Sequence, residues 1–349
     1  MRTTVNRGNS KVSAEIVAGG ILQGQGLKAN QLTTTKVTHA KAKNPVSASS
    51  ISREQQRFSK QPGFLRKCYA SSIAPIVAGL LSFALPVQAL QVVVTPQNPE
   101  LGDTLSVMIQ VDGNGGETPT VSLQQKNYPA FPMGNGRFRA LLPTTPVEKP
   151  GARVLEVAGD GQTQKLNVQV RDRNFPTQSI WLPPGKDEEG TDAEFDPVDA
   201  FKALVTPEKF WNGKLLRPNS GEVTTIYGVQ RYYNGVFAKD YYHRGVDYGG
   251  AYGSPVIAPA AGRVSLVGRE SQGFKIHGNV VGIDHGQGVA SILMHLSRID
   301  VKEGDFVKAG QVIGALGSTG AATGPHLHWG LYVHGQSVDP VPWRLQGIE

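Results

Sequence analysis

Seven of the eight histidines fall after Phe210: His243, His277, His285, His295, His326, His328 and His334, with His39 alone elsewhere. Two of them stand two apart in GPHLHWG, residues 324–330. In an extended strand residues i and i+2 point to one face, so the rings of His326 and His328 look into the same space. Such a pair suits a metal, a proton-transfer site, or both. HRGVD adds His243 and Asp247. Four residues of straight strand would hold these two roughly 13 Å apart. That is too far to share an ion whose bonds to N and O are about 2.0–2.2 Å long. A shared ion therefore requires a bend, which Gly245 permits. MHLS places His295 at the end of a predicted strand.

Several chemistries are excluded. Neither H-E-x-x-H nor H-x-x-E-H occurs, so the helical zinc-protease arrangements are absent. There is no G-x-S-x-G elbow. The single cysteine, Cys68, lies far upstream, so a metal site downstream must use histidine and carboxylate. A cysteine nucleophile is ruled out there as well.

The elements that must position these residues read as all-β. LQVVVTP, DTLSVMIQV, TPTVSLQQ, GRFRALLP, ARVLEVAG and QKLNVQVRD are short β-favouring runs separated by turn signals such as DGNGG and GDGQ. They predict an immunoglobulin-like β-sandwich over residues 90–175. Residues 176–205, rich in proline and acidic side chains, read as a linker. Asp196-Pro197 there predicts a short helix running to Leu204, and the acidic run reads as solvated. From residue 206 to 349, Gly-rich alternating runs such as SPVIAPAAGRVSLVG, NVVGIDHG and GVASILMHL predict a compact antiparallel β-sheet domain.

The net charge of +7 suggests nucleic acid until it is located. Residues 1–89 hold 12 Lys or Arg against 2 Asp or Glu, and the rest of the chain holds 23 against 26. The excess belongs to the leader, and no basic groove with interleaved aromatics follows, so nucleic acid is rejected as a partner. Within that leader, FLRKCY precedes an apolar run from Ile73 to Leu85 and a small-residue site ending at Ala89. This pattern predicts a secretory signal after a disordered stretch, and hence an exported protein of the periplasm or cell envelope. The run is short for a bilayer-spanning helix, so the membrane is a partner only if the segment stays uncleaved.

In order along the chain, HRGVDYG, GSPVIAPAAGRV, VVGIDHGQGVASILMHLS, VKEGDFVKAGQVIGALGSTG, GPHLHWGL and VDP closely resemble the M23 family of zinc metallopeptidases, of lysostaphin or LytM type. The resemblance covers residues 217–340. It implies a zinc endopeptidase that hydrolyses peptide cross-links of bacterial peptidoglycan, with water activated by the metal and two assisting histidines. Carried over by motif, His243, Asp247 and His328 would hold one Zn²⁺, while His295 and His326 would be the catalytic pair. Met294 and Trp329 stand where Tyr and Phe are common, and neither alters a candidate ligand or acid–base group. The competing expectation is a non-catalytic envelope protein of this fold that binds and activates a cell-wall amidase. The sandwich would hold the enzyme on the wall, dock an envelope protein partner, or cover the groove.

The remaining candidates have plainer readings. His285 is expected to be structural, bonded to backbone, and His277 and His334 to be exposed in turns. Arg231 either lines the groove or pairs with an acid. Ser318 and Thr319, in GALGSTGAATG, are expected to line the groove. No P-loop lysine accompanies those glycines.

Overall fold

The computed structural model describes residues 90–111, 117–181 and 190–348. The expected signal segment, at residues 1–89, lies outside the described residues, as does the acidic run at 187–189. Strands dominate and almost all pair antiparallel. Among the described residues, no helix is long and apolar enough to cross a membrane.

Over residues 90–175 the described strands form two four-stranded sheets. One runs, in spatial order, Gln91–Thr95, Thr104–Gln110, Arg137–Pro143 and Phe131–Gly134. The other runs Lys126–Tyr128, Thr120–Leu123, Gly151–Gly159 and Gln162–Val170. Their inner faces share one apolar core that includes Leu105, Val107, Val121, Leu142, Leu155 and Val157. Strand alternation explains why RFRALLP is buried on both sides. Ala140 and Leu142 enter this core, while Leu141 points the other way into the core of the C-terminal section. Arg139, on Leu141's face, donates to Gln287 Oε1 at 2.6 Å.

The C-terminal section is built on an eight-stranded sheet. Its spatial order is Glu222–Thr225, Val246–Gly249, His326–Val333, Val289–Met294, Val280–Gly286, Gly262–Gly268 and Phe306–Val307, with Gln336–Val338 pairing beside the end of His326–Val333. A three-stranded sheet of Pro255–Ile257, Val312–Leu316 and Leu296–Ile299 lies alongside. Trp329, Tyr248, Leu293 and Ile313 are among the side chains of the shared core. The terminal helix Pro340–Leu345 starts in the sequence VDP, where the Asp339 carboxylate accepts the Val341 N–H at 2.9 Å. That N-cap with proline at the first helical position is a strong local start signal.

The segment expected to be a linker is largely built into this section. Strand Thr177–Ile180 pairs in parallel with Gln230–Tyr233. A helix at Asp192–Lys202 buries Val198 and Phe201 against Leu266, Val280 and Ile292. Gly282 makes room for it, since a Cβ there would lie 2.7 Å from the Phe201 ring. The helix begins one turn earlier than Asp196-Pro197 suggested, with Thr191 as N-cap and Pro197 inside. TDAE is the stronger start, because the Glu194 side chain reaches back to accept the Thr191 N–H at 3.2 Å. Pro197 forgoes one hydrogen bond in the second turn.

Candidate metal centre

Register places Asp247 directly opposite His328 on neighbouring strands, with Gly249 opposite His326. His243 reaches the same point from the segment before Val246–Gly249. Its N–H donates to the Val229 carbonyl at 2.8 Å, and its carbonyl accepts the Gly228 N–H at 2.9 Å. The bend at Gly245 is real and tight: a Cβ there would sit 2.7 Å from His328 Nε2 and press on the Trp329 backbone.

Three donor atoms thereby converge. His243 Nε2 lies 3.0 Å from Asp247 Oδ1 and 3.0 Å from His328 Nδ1, and His328 Nδ1 lies 2.9 Å from Asp247 Oδ1. All three residues are buried. The His243 Nδ1 sits 2.8 Å from the Ile226 carbonyl. A carbonyl only accepts, so Nδ1 carries the proton and Nε2 of the neutral ring holds a lone pair. That lone pair faces a carboxylate oxygen across 3.0 Å, an arrangement that calls for positive charge in between. Tetrahedral bonds of about 2.0–2.1 Å would set donors about 3.3 Å apart, so the triangle is close to the size a zinc ion needs. Two imidazoles and a carboxylate are also a suitable donor set for zinc, and the residues fit the metal that the motif resemblance implied.

Burial alone would push the Asp247 carboxyl up, but when a proton takes the place of an ion in the triangle, hydrogen bonds and charge through His243 and His328 outweigh it and hold the group well below the usual range. Burial pushes the His328 imidazole down to about 4. Arg231 answers its open alternative by pairing with an acid: its guanidinium lies 3.6 Å from Asp247 Oδ2, the oxygen turned away from the triangle.

His326 and His295 stand beside the triangle without joining it. Their ring centroids are 4.7 Å apart, and His326 Nε2 is 4.0 Å from Asp247 Oδ1. Each has its Nδ1 spent on a backbone carbonyl, His326 on Gly324 at 2.8 Å and His295 on Thr319 at 2.9 Å. Each therefore presents an unprotonated Nε2 when neutral. His326 is half-buried, whereas His295 is buried, and that burial drives its ring well below the ordinary imidazole range.

Other expectations are corrected or filled in. His285 is structural, with Nδ1 on the Ala261 carbonyl at 2.9 Å and Nε2 on Ser291 Oγ at 2.8 Å. His277 is not exposed: it is buried, and its Nδ1 lies 2.7 Å from the Glu194 carboxylate. His334 occupies a turn at φ 46° and is half-buried, its ring 5.8 Å from that of Tyr128. Thr319 lies beneath the site, its hydroxyl donating to the Leu296 carbonyl at 2.9 Å. Glu194 was missed because a lone glutamate in an acidic run looks solvated.

Residues 241–340 match the family model described as Peptidase family M23. The chain carries an M23 peptidase domain. The M23 domain is 44% identical over 103 residues to the DD-carboxypeptidase/endopeptidase Mpg of Neisseria meningitidis serogroup B, covering 30% of this chain and 23% of that protein. It is 42% identical over 106 residues to lysostaphin of Staphylococcus staphylolyticus, covering 29% and 22%. The chain thus spans under a quarter of the length of these curated relatives. A solved structure from Pseudomonas aeruginosa, titled as a peptidase M23, superposes with a TM-score of 0.53 at 27% identity, covering 72% of this chain and 96% of that one. The M23 match includes every histidine and carboxylate of the triangle and both flanking histidines.

Proposed function

We propose that this M23 protein is an exported, zinc-dependent endopeptidase that cleaves peptide cross-links of peptidoglycan. The observation that carries the proposal is the buried triangle of His243, Asp247 and His328 set against two histidines whose Nδ1 atoms are held by backbone carbonyls, leaving Nε2 toward the site. The names of the relatives support the substrate class, and the signal-like leader supports the periplasm or cell envelope as its place. The strand orders of the two N-terminal sheets support the immunoglobulin-like assignment.

In this reading His243 Nε2, Asp247 Oδ1 and His328 Nδ1 hold the ion. Bound zinc would supply Lewis acidity, making water more acidic and polarising the scissile carbonyl. Arg231 holds the outer oxygen of Asp247 and so favours one-oxygen ligation. His326 and His295 carry protons at Nε2, taking one from the nucleophile and returning one to the leaving amine. The backbone carbonyls of Gly324 and Thr319 fix which nitrogen does this.

The alternative, a non-catalytic activator of a cell-wall amidase, is disfavoured by the complete donor set. The deciding experiment measures zinc per chain and digests purified sacculi, with mass spectrometry of the soluble fragments. About one zinc per chain and fragments cut within the peptides are expected. Metal-free protein that releases nothing alone, yet accelerates an added amidase, would establish the alternative.

A further inference from the structure

The C-terminal section contains a buried acid that the proposed chemistry does not use. Glu194, in the first turn of helix Asp192–Lys202, is fully buried. Burying a carboxylate is expensive unless it is paired and hydrogen-bonded, and helix docking through Val198 and Phe201 does not require it. Its oxygens accept the N–H groups of Ile276 and His277 at 3.1 Å each, and the His277 Nδ1–H at 2.7 Å. The same helix start is tied down by Thr191, whose hydroxyl donates to the Gly273 carbonyl at 2.9 Å. One carboxylate therefore satisfies the backbone donors of a loop that has no strand partner at those residues.

That loop is the floor under His295. The His277 carbonyl accepts the His295 N–H at 3.1 Å, and the Asn279 carbonyl accepts the Leu296 N–H at 3.0 Å. The Asn279 N–H donates to Thr319 Oγ1 at 2.9 Å, and the Thr319 carbonyl receives the His295 ring. The Ile276 carbonyl accepts the Ala321 N–H at 3.1 Å, joining the two loops again. They press together at Gly278, where a Cβ would meet the Thr319 backbone at 2.5 Å. His295 itself has φ 63°, a left-handed conformation that a histidine keeps only when its surroundings impose it.

We infer that Glu194 is a positioning residue for His295: through His277 it holds the backbone that forces His295 into its left-handed conformation and aims its Nε2 at the site. This rests on the functional reading for its effect on turnover, but not for its effect on structure. Glu194→Gln keeps the size and removes the charge, while offering an NH₂ group where three backbone N–H groups and a ring N–H need acceptors.

The test uses the full chain and compares Glu194→Gln, His277→Asn and His295→Ala. In Glu194→Gln the His295 amide is expected to exchange with deuterium at least tenfold faster, while amides of the Val246–Gly249 and His326–Val333 strands are unchanged. With zinc content intact, kcat on a cross-linked peptide falls about tenfold or more and KM moves less than twofold. His277→Asn, which keeps a donor facing Glu194, retains most of the rate. Adding Glu194→Gln to His295→Ala lowers the residual rate no further. Unchanged His295 exchange in Glu194→Gln, or an equal fractional loss of rate in the His295→Ala background, would overturn the inference. If the wild-type chain cleaves nothing, or His295→Ala cleaves normally, the functional reading fails, and amide exchange still decides whether Glu194 holds His295.

Discussion

His326 and His328 share a strand face but not their contacts. His328 turns Nδ1 into the donor triangle, while His326 spends Nδ1 on its neighbour's carbonyl. Replacing His328 with Ala should cost the metal, and His326→Ala should keep it while lowering kcat by about 10²-fold or more. Metal analysis beside rate measurement separates them, and the reverse pattern would refute the division of roles. His285 yields a prediction of another kind. Burial lowers its ring to about 4 from 6.5, so as pH falls below 6.5 the unfolded chain takes up a proton that the folded one refuses. Stability from this group is complete above pH 6.5 and is lost toward pH 4, by up to about 3 kcal/mol. Urea unfolding at pH 7.5 and 4.5 should show a smaller loss in His285→Asn than in wild type. These histidines stood out in the sequence because metal and proton chemistry admit few residue types, and they cluster after Phe210. Glu194 and His277 did not, because their contact joins positions 83 apart and neither belongs to a recognisable spacing.

Between residue and domain, strand register does the positioning. Asp247 and His328 oppose each other only because Val246–Gly249 and His326–Val333 pair without a slip, and His243 joins them only through the bend at Gly245. The need for that bend was legible from distance alone. Its tightness was not, because the Trp329 carbonyl comes from a strand more than eighty residues later. Gly245→Ala is expected to push these segments apart, costing about 1–3 kcal/mol of stability. Zinc affinity should fall more steeply than stability, because the distortion is centred on His328. Thermal melting and zinc titration of the same variant would check this; full zinc binding would show that the strands absorb a methyl group. The strand content was likewise legible in the alternating runs. The helix start was misplaced because Asp-Pro competed with TDAE, and only the carboxylate's return to the Thr191 N–H distinguishes the two.

Across the whole described unit, the expected separation into sandwich, linker and peptidase sheet underestimates how the parts are joined. Leu141 of the N-terminal sheets lies in the C-terminal core, and the Trp343 indole donates to Thr104 Oγ1 at 3.1 Å. Arg173 pairs with the buried Asp339 at 2.7 Å. Strand Thr177–Ile180 flanks the strand that carries Arg231, and helix Asp192–Lys202 carries Glu194. A chain cut at residue 206, the natural choice from composition, therefore loses both supports of the site along with the sandwich. A chain beginning at residue 172 loses only the sandwich. Comparing the two with the full chain separates effects that a single truncation would merge. The 206–349 chain should melt lowest and cleave at least tenfold slower than the 172–349 chain at equal zinc loading. The 172–349 chain should melt below the full chain, because it exposes Trp343 and the partners of Leu141, yet keep kcat on a small cross-linked peptide within a few-fold. Activity in 206–349 equal to that of 172–349 would mean that residues 176–205 are a tether after all. A large gain in 172–349 over the full chain would instead assign the sandwich a covering role over the groove.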